Sequence, residues 1–289
     1  MQPPELSPPR RLAWLYSSPP QRRALAALSA VEREIAGSLR PNLDHEVAHA
    51  RLGWWREECE RTARGLPRHP LTRELGAVFA DAAGFEPLGA LVGLVDTVAW
   101  DLARATFDTR AELTHFCERW SAALIVPLTQ LAAAAAAAST SASASASVEG
   151  LALGTSLREI ELLLALASDA RAGRLRVTLD ELGRLRVPPE SLAQPPWPAP
   201  LAALVGARHE QSRAAVAAAV DALGPEARAA LRGLMVWAAV VCSASERAQA
   251  RLPRASGPRG HHAPLDGWRA WRAARRVESE GRAVDAADS

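Results

Sequence analysis

LGTSLREIELLLALASDARAGRL, Leu153–Leu175, sets the class of the whole chain. It belongs to a helix predicted from about Gly150 to Ala172. Glu161, Ala165 and Asp169 follow one another at four-residue intervals, so they share one helix face. Working outward, nearly every other segment also reads as helix. Helices are predicted over about Gln21–Leu39 after Pro19-Pro20, Leu43–Arg64, Leu71–Ala83, Leu88–Ala105 and Thr109–Leu131, the last with Thr109 as N-cap. Two late helices follow at about Leu201–Leu223 and Pro225–Ala250. Val, Ile and the aromatic residues never alternate with polar ones for long, so strand signals are weak. The expected fold class is all-α, one helical bundle.

Between these helices lie two breaks and a tail. Ala132–Ser147 is an alanine run followed by Ser-Ala alternation, which has no apolar face to bury and predicts a flexible connection. Pro188–Pro200 is a proline-rich loop. The chain is expected to have a flexible N-terminus over 1–11, one domain over 12–250, and an Arg/Pro/Gly-rich tail over 251–289. In that tail, Leu265–Arg276 is a short amphipathic piece with Trp268 and Trp271 three apart. It predicts either a helix packed back on the bundle or one lying on a membrane.

The chain has 289 residues, 48% hydrophobic and 23% charged, enough to bury a sizeable core. Every basic residue is arginine. A net charge of +2 makes no electrostatic case for nucleic acid. The cysteines, Cys59, Cys117 and Cys242, are odd in number and far apart, which fits a reducing compartment with no disulfide framework. The opening MQPPELSPPRR has no apolar core, so no signal peptide is expected. No run reaches the roughly 18 apolar residues of a membrane span. The expected location is the cytoplasm, with peripheral contact at the inner membrane.

Leu153–Leu175 resembles the second aspartate-rich segment of the squalene/phytoene synthase family, LGxALQLTNILRDVxEDxxxGRxYLP. Leu153-Gly154, Asp169 and Gly173-Arg174 match that pattern, while its first Asp falls on Ala165, the Arg before it on Leu164 and its Asn on Glu161. Tyr16–Glu34 resembles the family's first segment through Arg23, Ala24, Ala27, Leu28, Ala30 and Arg33. RLGWWREE, with HP and L following, resembles a further family block. Asp101-Leu102, Thr109, Glu112-Leu113 and Phe116-Cys117 resemble another. The resemblance spans about residues 12–250.

The resemblance implies an isoprenoid-synthase-type bundle in which two aspartate motifs hold Mg²⁺ against prenyl diphosphates. Mg²⁺ favours octahedral oxygen ligands, and carboxylates at i and i+4 offer two to one cluster. Here the first motif, D-D-x-x-D, falls on Ala36, Gly37 and Arg40, and the second keeps Asp169 alone. The family's Tyr is Phe116. The expected function is therefore a catalytically degenerate member, an isoprenoid-pocket binding or assembly protein with no cofactor. One branch of the family, a mitochondrial complex I assembly factor, also lacks the aspartates. The implied substrate-binding residues are Arg33, Arg174 and Phe116, with Arg22, Arg23 and Arg171 as further lining. The alternative is an active prenyl transferase that holds Mg²⁺ with displaced carboxylates, Glu32, Glu161 and Asp169. A distant alternative is a zinc protease. His45-Glu46-Val47-Ala48-His49 fits H-E-x-x-H, with Glu57, Glu58 or His69 as third ligand.

Overall fold

The structure, a computed structural model, describes residues 5–135, 140–254 and 263–287. Twelve α-helices and no strand occur among them: α1 Pro8–Tyr16, α2 Pro19–Ala36, α3 His45–Ala63, α4 Pro70–Ala80, α5 Val92–Leu102, α6 Arg110–Ala135, α7 Thr140–Arg171, α8 Leu179–Leu185, α9 Ala199–Ala222, α10 Pro225–Ala230, α11 Arg232–Gln249 and α12 Ala263–Ala287. The all-α expectation holds.

Local chemistry starts most of these helices. Prolines occupy the first turn of α2, where a missing N–H leaves nothing unpaired, and the Gln21 side chain accepts from the Ser18 N–H at 3.2 Å. Asp44 accepts from the N–H groups of Glu46 and Val47 at the start of α3. Thr109 caps α6 as predicted, its hydroxyl accepting from Glu112 N–H at 3.4 Å. The predicted Leu88–Ala105 helix is divided: a 3-10 turn over Glu86–Leu91, with Pro87 in its first turn, leads into α5, Val92–Leu102.

The core lies between α2, α6, α7 and α11, where Leu28, Ile35, Leu124, Leu157, Trp120 and Trp237 are all buried. The α6–α7 pairing is the most extensive in the bundle. A second cluster joins the end of α7 to α8 and α9 through Leu166, Val177, Trp197 and Leu201. Glu58, from the WWREE block, is buried at 0% exposure. It accepts from the N–H groups of Arg68 (2.7 Å) and His69 (2.8 Å), from the Thr72 hydroxyl and from Arg61. Burial alone would raise its pKa; these donors outweigh that and hold it below the usual carboxylate range. Its role is to tie the α3–α4 turn shut.

Three expectations are corrected. The flexible N-terminus over 1–11 does not hold through residue 11: Pro8–Tyr16 form α1 against α11, because Ala13 is buried in the main core and Leu12, partly buried, packs on Val236 and Val240. The connection over 132–147 is largely helical, α6 reaching Ala135 and α7 beginning at Thr140; residues 136–139 lie outside the described residues. Once a packed helix exists, adding Ala and Ser residues to its end costs little, so propagation prevails over the lack of an apolar face. The tail piece is longer than Leu265–Arg276, and α12 packs on α1, α10 and α11.

Burial also sets the ionisation of several groups. Cys59, Cys117 and Cys242 are free, and burial pushes each thiol up to about 12, so all are protonated and poor nucleophiles at neutral pH. His209 of α9 is 2% exposed. Arg213 donates to the Ser245 hydroxyl at 2.9 Å, leaving that O–H to donate to His209 Nδ1 at 2.8 Å. Burial first, and the Arg213 charge second, lower His209 from 6.5 to about 4. The unfolded chain therefore takes up a proton that the folded one refuses between those values. Stability is expected to fall by on the order of 3 kcal/mol as pH drops through that window. Urea unfolding of the wild type and His209→Gln at pH of about 7.5 and about 5 checks this; the variant should lose much less on acidification.

Candidate functional site

The three carboxylates nearest the motif positions all sit with arginines. Glu32 of α2 points into the bundle and pairs with Arg10 of α1, and Trp120 Nε1–H donates to it at 2.6 Å. The Arg10 guanidinium lies between the Trp237 and Trp120 rings, 4.9 and 5.6 Å from their centroids. Arg158 of α7 covers Trp120 at 5.0 Å and pairs with Glu161 at 3.3 Å. The resulting chain, Glu32–Arg10 and Arg158–Glu161 about two tryptophans, fills the space between α2, α6, α7 and α11. Burial would raise the Glu32 pKa, but Arg10, with Arg158 and Trp120 assisting, more than offsets it and holds the carboxylate below its ordinary value.

Asp169 is also paired with arginines. Arg174 donates to one of its oxygens at 2.8 Å and Arg176 to the other at 2.9 Å. Arg176, 3% exposed at its side chain, also binds Asp101 of α5 at 2.8 Å. Gly173 explains the Gly-Arg pair in physical terms. It ends α7 with φ +79°, a left-handed conformation that glycine adopts without strain. The turn brings Arg174 N–H onto the Asp169 carbonyl at 2.9 Å and directs its guanidinium back to the Asp169 carboxylate.

Beyond this network, the C-terminal ends of α2, α5 and α7 converge on a polar cavity of about 510 Å³ lined by Arg40, Asn42, His45, Asp101, Arg104 and Arg174. Arg40 stands where the first motif would end in aspartate. Arg104 has φ +50°, a conformation that costs a non-glycine residue about 1–2 kcal/mol. Neither Arg40 nor Arg104 has an acidic partner among the described residues. The cavity thus carries free guanidinium groups.

The other sequence-singled residues lie elsewhere. Arg33 faces outward and binds the Glu5 backbone carbonyl at 2.6 Å. Arg22 stacks on Trp14 at 5.3 Å and donates to the carbonyls of Trp14 and Leu15, and Arg171 donates to the Ala193 carbonyl. Phe116 is buried against Phe107, under Arg176 at 5.0 Å. His45 and His49 are exposed neighbours with Nε2 atoms 3.0 Å apart. The third-ligand candidates are engaged elsewhere. His69 accepts from Leu71 N–H at the start of α4, Glu57 pairs with Arg61, and Glu58 is the buried tie described above. No group of three His, Cys, Asp or Glu able to hold a metal occurs among the described residues.

The family model described as squalene/phytoene synthase matches residues 6–269. The chain belongs to the squalene/phytoene synthase family. A crystal structure of a dehydrosqualene synthase in complex with ligand is similar over 95% of this chain and 92% of that one, at 17% identity and a TM-score of 0.74. Squalene synthase HpnC from Alicyclobacillus acidocaldarius is similar over 83% of this chain and 89% of its own, at 17% identity and a TM-score of 0.61. Both support the isoprenoid-synthase-type bundle. No curated protein sequence matches the chain.

Tested against Mg²⁺, the donor set of this squalene/phytoene synthase family member does not fit. Ala36, Gly37 and Ala165 offer no side-chain oxygen, and Arg40 repels a cation. Asp169 has both oxygens taken by guanidinium groups. Sequence reading missed Arg10, Arg104 and Arg176, for which no local pattern exists, whereas Arg158, three residues before Glu161 on the same helix face, is a partner that local spacing offers. Arg40 was visible only as a lost aspartate.

Proposed function

We propose that this protein is a catalytically degenerate squalene/phytoene synthase family member, a binding or assembly protein that holds the diphosphate of an isoprenoid with arginine instead of with metal. The observation that carries this reading is the arginine partner on each of Glu32, Glu161 and Asp169. A guanidinium presents a planar pair of donors that matches two phosphate oxygens. Arg40 and Arg104, at the mouth of the cavity, do the binding. Arg174 and Arg176 are held in place by Asp169 and Asp101. The reading needs no cofactor and has the protein working from the cytoplasm; among the described residues, no helix is long and apolar enough to cross a membrane.

The competing reading, an active prenyl transferase, requires the same three carboxylates to exchange their arginines for Mg²⁺. Calorimetric titration with farnesyl diphosphate, with and without Mg²⁺, separates the two. Binding is expected at the same affinity in both conditions, and Arg40→Gln/Arg104→Gln should weaken it by about tenfold or more. Affinity that appears only with Mg²⁺, together with diphosphate release, would sink the degenerate reading.

A further inference from the structure

Helix α12 has an uneven distribution of charge. Its described acidic side chains, at 266, 278 and 280, are each paired with an arginine of the bundle, Asp266 with Arg247 at 2.9 Å, Glu278 with Arg232, and Glu280 with Arg228 at 3.2 Å. Ala270 and Ala274 bury against Val236 and Val240 on its inner side. The outer side is the reverse. Leu265, Trp268 and Trp271 are each half exposed, at 50%, 52% and 52%. Arg272 lies over the Trp268 ring at 4.7 Å and Arg275 over Trp271 at 5.9 Å. No acidic side chain described on α12 is left on this side to balance these arginines. Neighbouring α1 has no acidic residue and adds exposed Leu15.

We propose that the outer face of α12 docks this protein on an anionic lipid bilayer. Large aromatic side chains with a polar edge, interleaved with arginines, suit the boundary between headgroups and acyl chains. Each arginine near a negatively charged leaflet adds attraction, and its long stem allows the tryptophan beneath to enter the boundary while the charge meets phosphate. The ion pairs serve the same end, because they tie α12 to the bundle and neutralise its described acids. This inference is independent of whether the arginine cavity binds diphosphate.

The test is co-sedimentation of the full chain with two kinds of vesicle, phosphatidylcholine alone and phosphatidylcholine mixed with phosphatidylglycerol, at low and high salt. Partitioning is expected on the mixed vesicles, little on the neutral ones, and less at high salt. Arg272→Gln/Arg275→Gln should reduce it by about 25-fold, roughly fivefold per arginine, and Trp268→Ala/Trp271→Ala should lower it as strongly. Arg64→Gln/Arg73→Gln removes the same charge from exposed positions on α3–α4 and should leave partitioning nearly unchanged. Equal loss in that control, equal binding to neutral vesicles, or no partitioning at all would overturn the proposal. So would a concentration-dependent dimer, seen by sedimentation velocity and lost in the tryptophan variant, since a second copy would then cover the face.

Discussion

Glu32→Ala is expected to cost about 3–5 kcal/mol of stability. The substitution leaves Arg10 charged between Trp120 and Trp237 with its counter-charge gone. It also leaves Trp120 Nε1–H without its acceptor. Burial of an unpaired guanidinium is far less favourable than burial of the pair. The same argument predicts the reverse for removing both charges: Arg10→Met/Glu32→Leu should recover most of the loss, since apolar residues of similar volume replace buried ion pairs at little cost. Chemical denaturation of the wild type, both single variants and the double variant measures the coupling. If Glu32 instead served as a metal ligand, Mg²⁺ would raise the wild-type unfolding midpoint and Arg10→Met would strengthen that response. A flat response to Mg²⁺ together with a strong Arg10–Glu32 coupling is the expected result.

Gly154→Val is expected to cost about 3 kcal/mol or more, through the α6–α7 pairing. A Cβ at Gly154 would lie 2.1 Å from Ser121 Oγ and 2.7 Å from Ile125, and one at Gly150 would lie 2.6 Å from Thr129 Oγ1. The two glycines are one helical turn apart, and they let α7 approach α6 closely enough for Ser121 to hydrogen bond the Leu151 carbonyl at 2.9 Å. Any side chain must push the helices apart or displace Ser121 and break that bond. Gly154→Ala is the milder form, and Ser121→Ala should partly rescue it because Ser121 Oγ is the nearest obstruction. The Ile125 contact limits the rescue. Additive losses in the double-variant cycle would show that the clash is not with Ser121.

The Gly154 position illustrates what a sequence reveals without its reason. Leu153-Gly154 was legible as part of a family pattern, and the requirement for glycine is a close approach between helices that only the tertiary structure displays. The Gly173-Arg174 pair is similar: the glycine ends a helix by local rules, while the target of Arg174 is set by the turn that glycine makes.

Helix positions, the Thr109 cap and the family were determined by the sequence itself, because helical periodicity, caps and proline breaks act within a few residues. The absence of aspartate at positions 36, 37, 40 and 165 was equally plain. Helix α1 escaped notice, since its nine residues are too few to be stable alone and take their order from α11. The same holds for the pairing of charges. Arg10 meets Glu32 from 22 positions away, and Trp120 meets it from 88. Arg176 joins Asp101 to Asp169 across 75 and 7 positions. An arginine in sequence carries a charge and a reach but no partner. Which carboxylate it neutralises, and which arginines are left facing the cavity, was decided by the packing of helices distant in the chain, because ion pairs form between atoms a few ångströms apart in space whatever their separation in sequence.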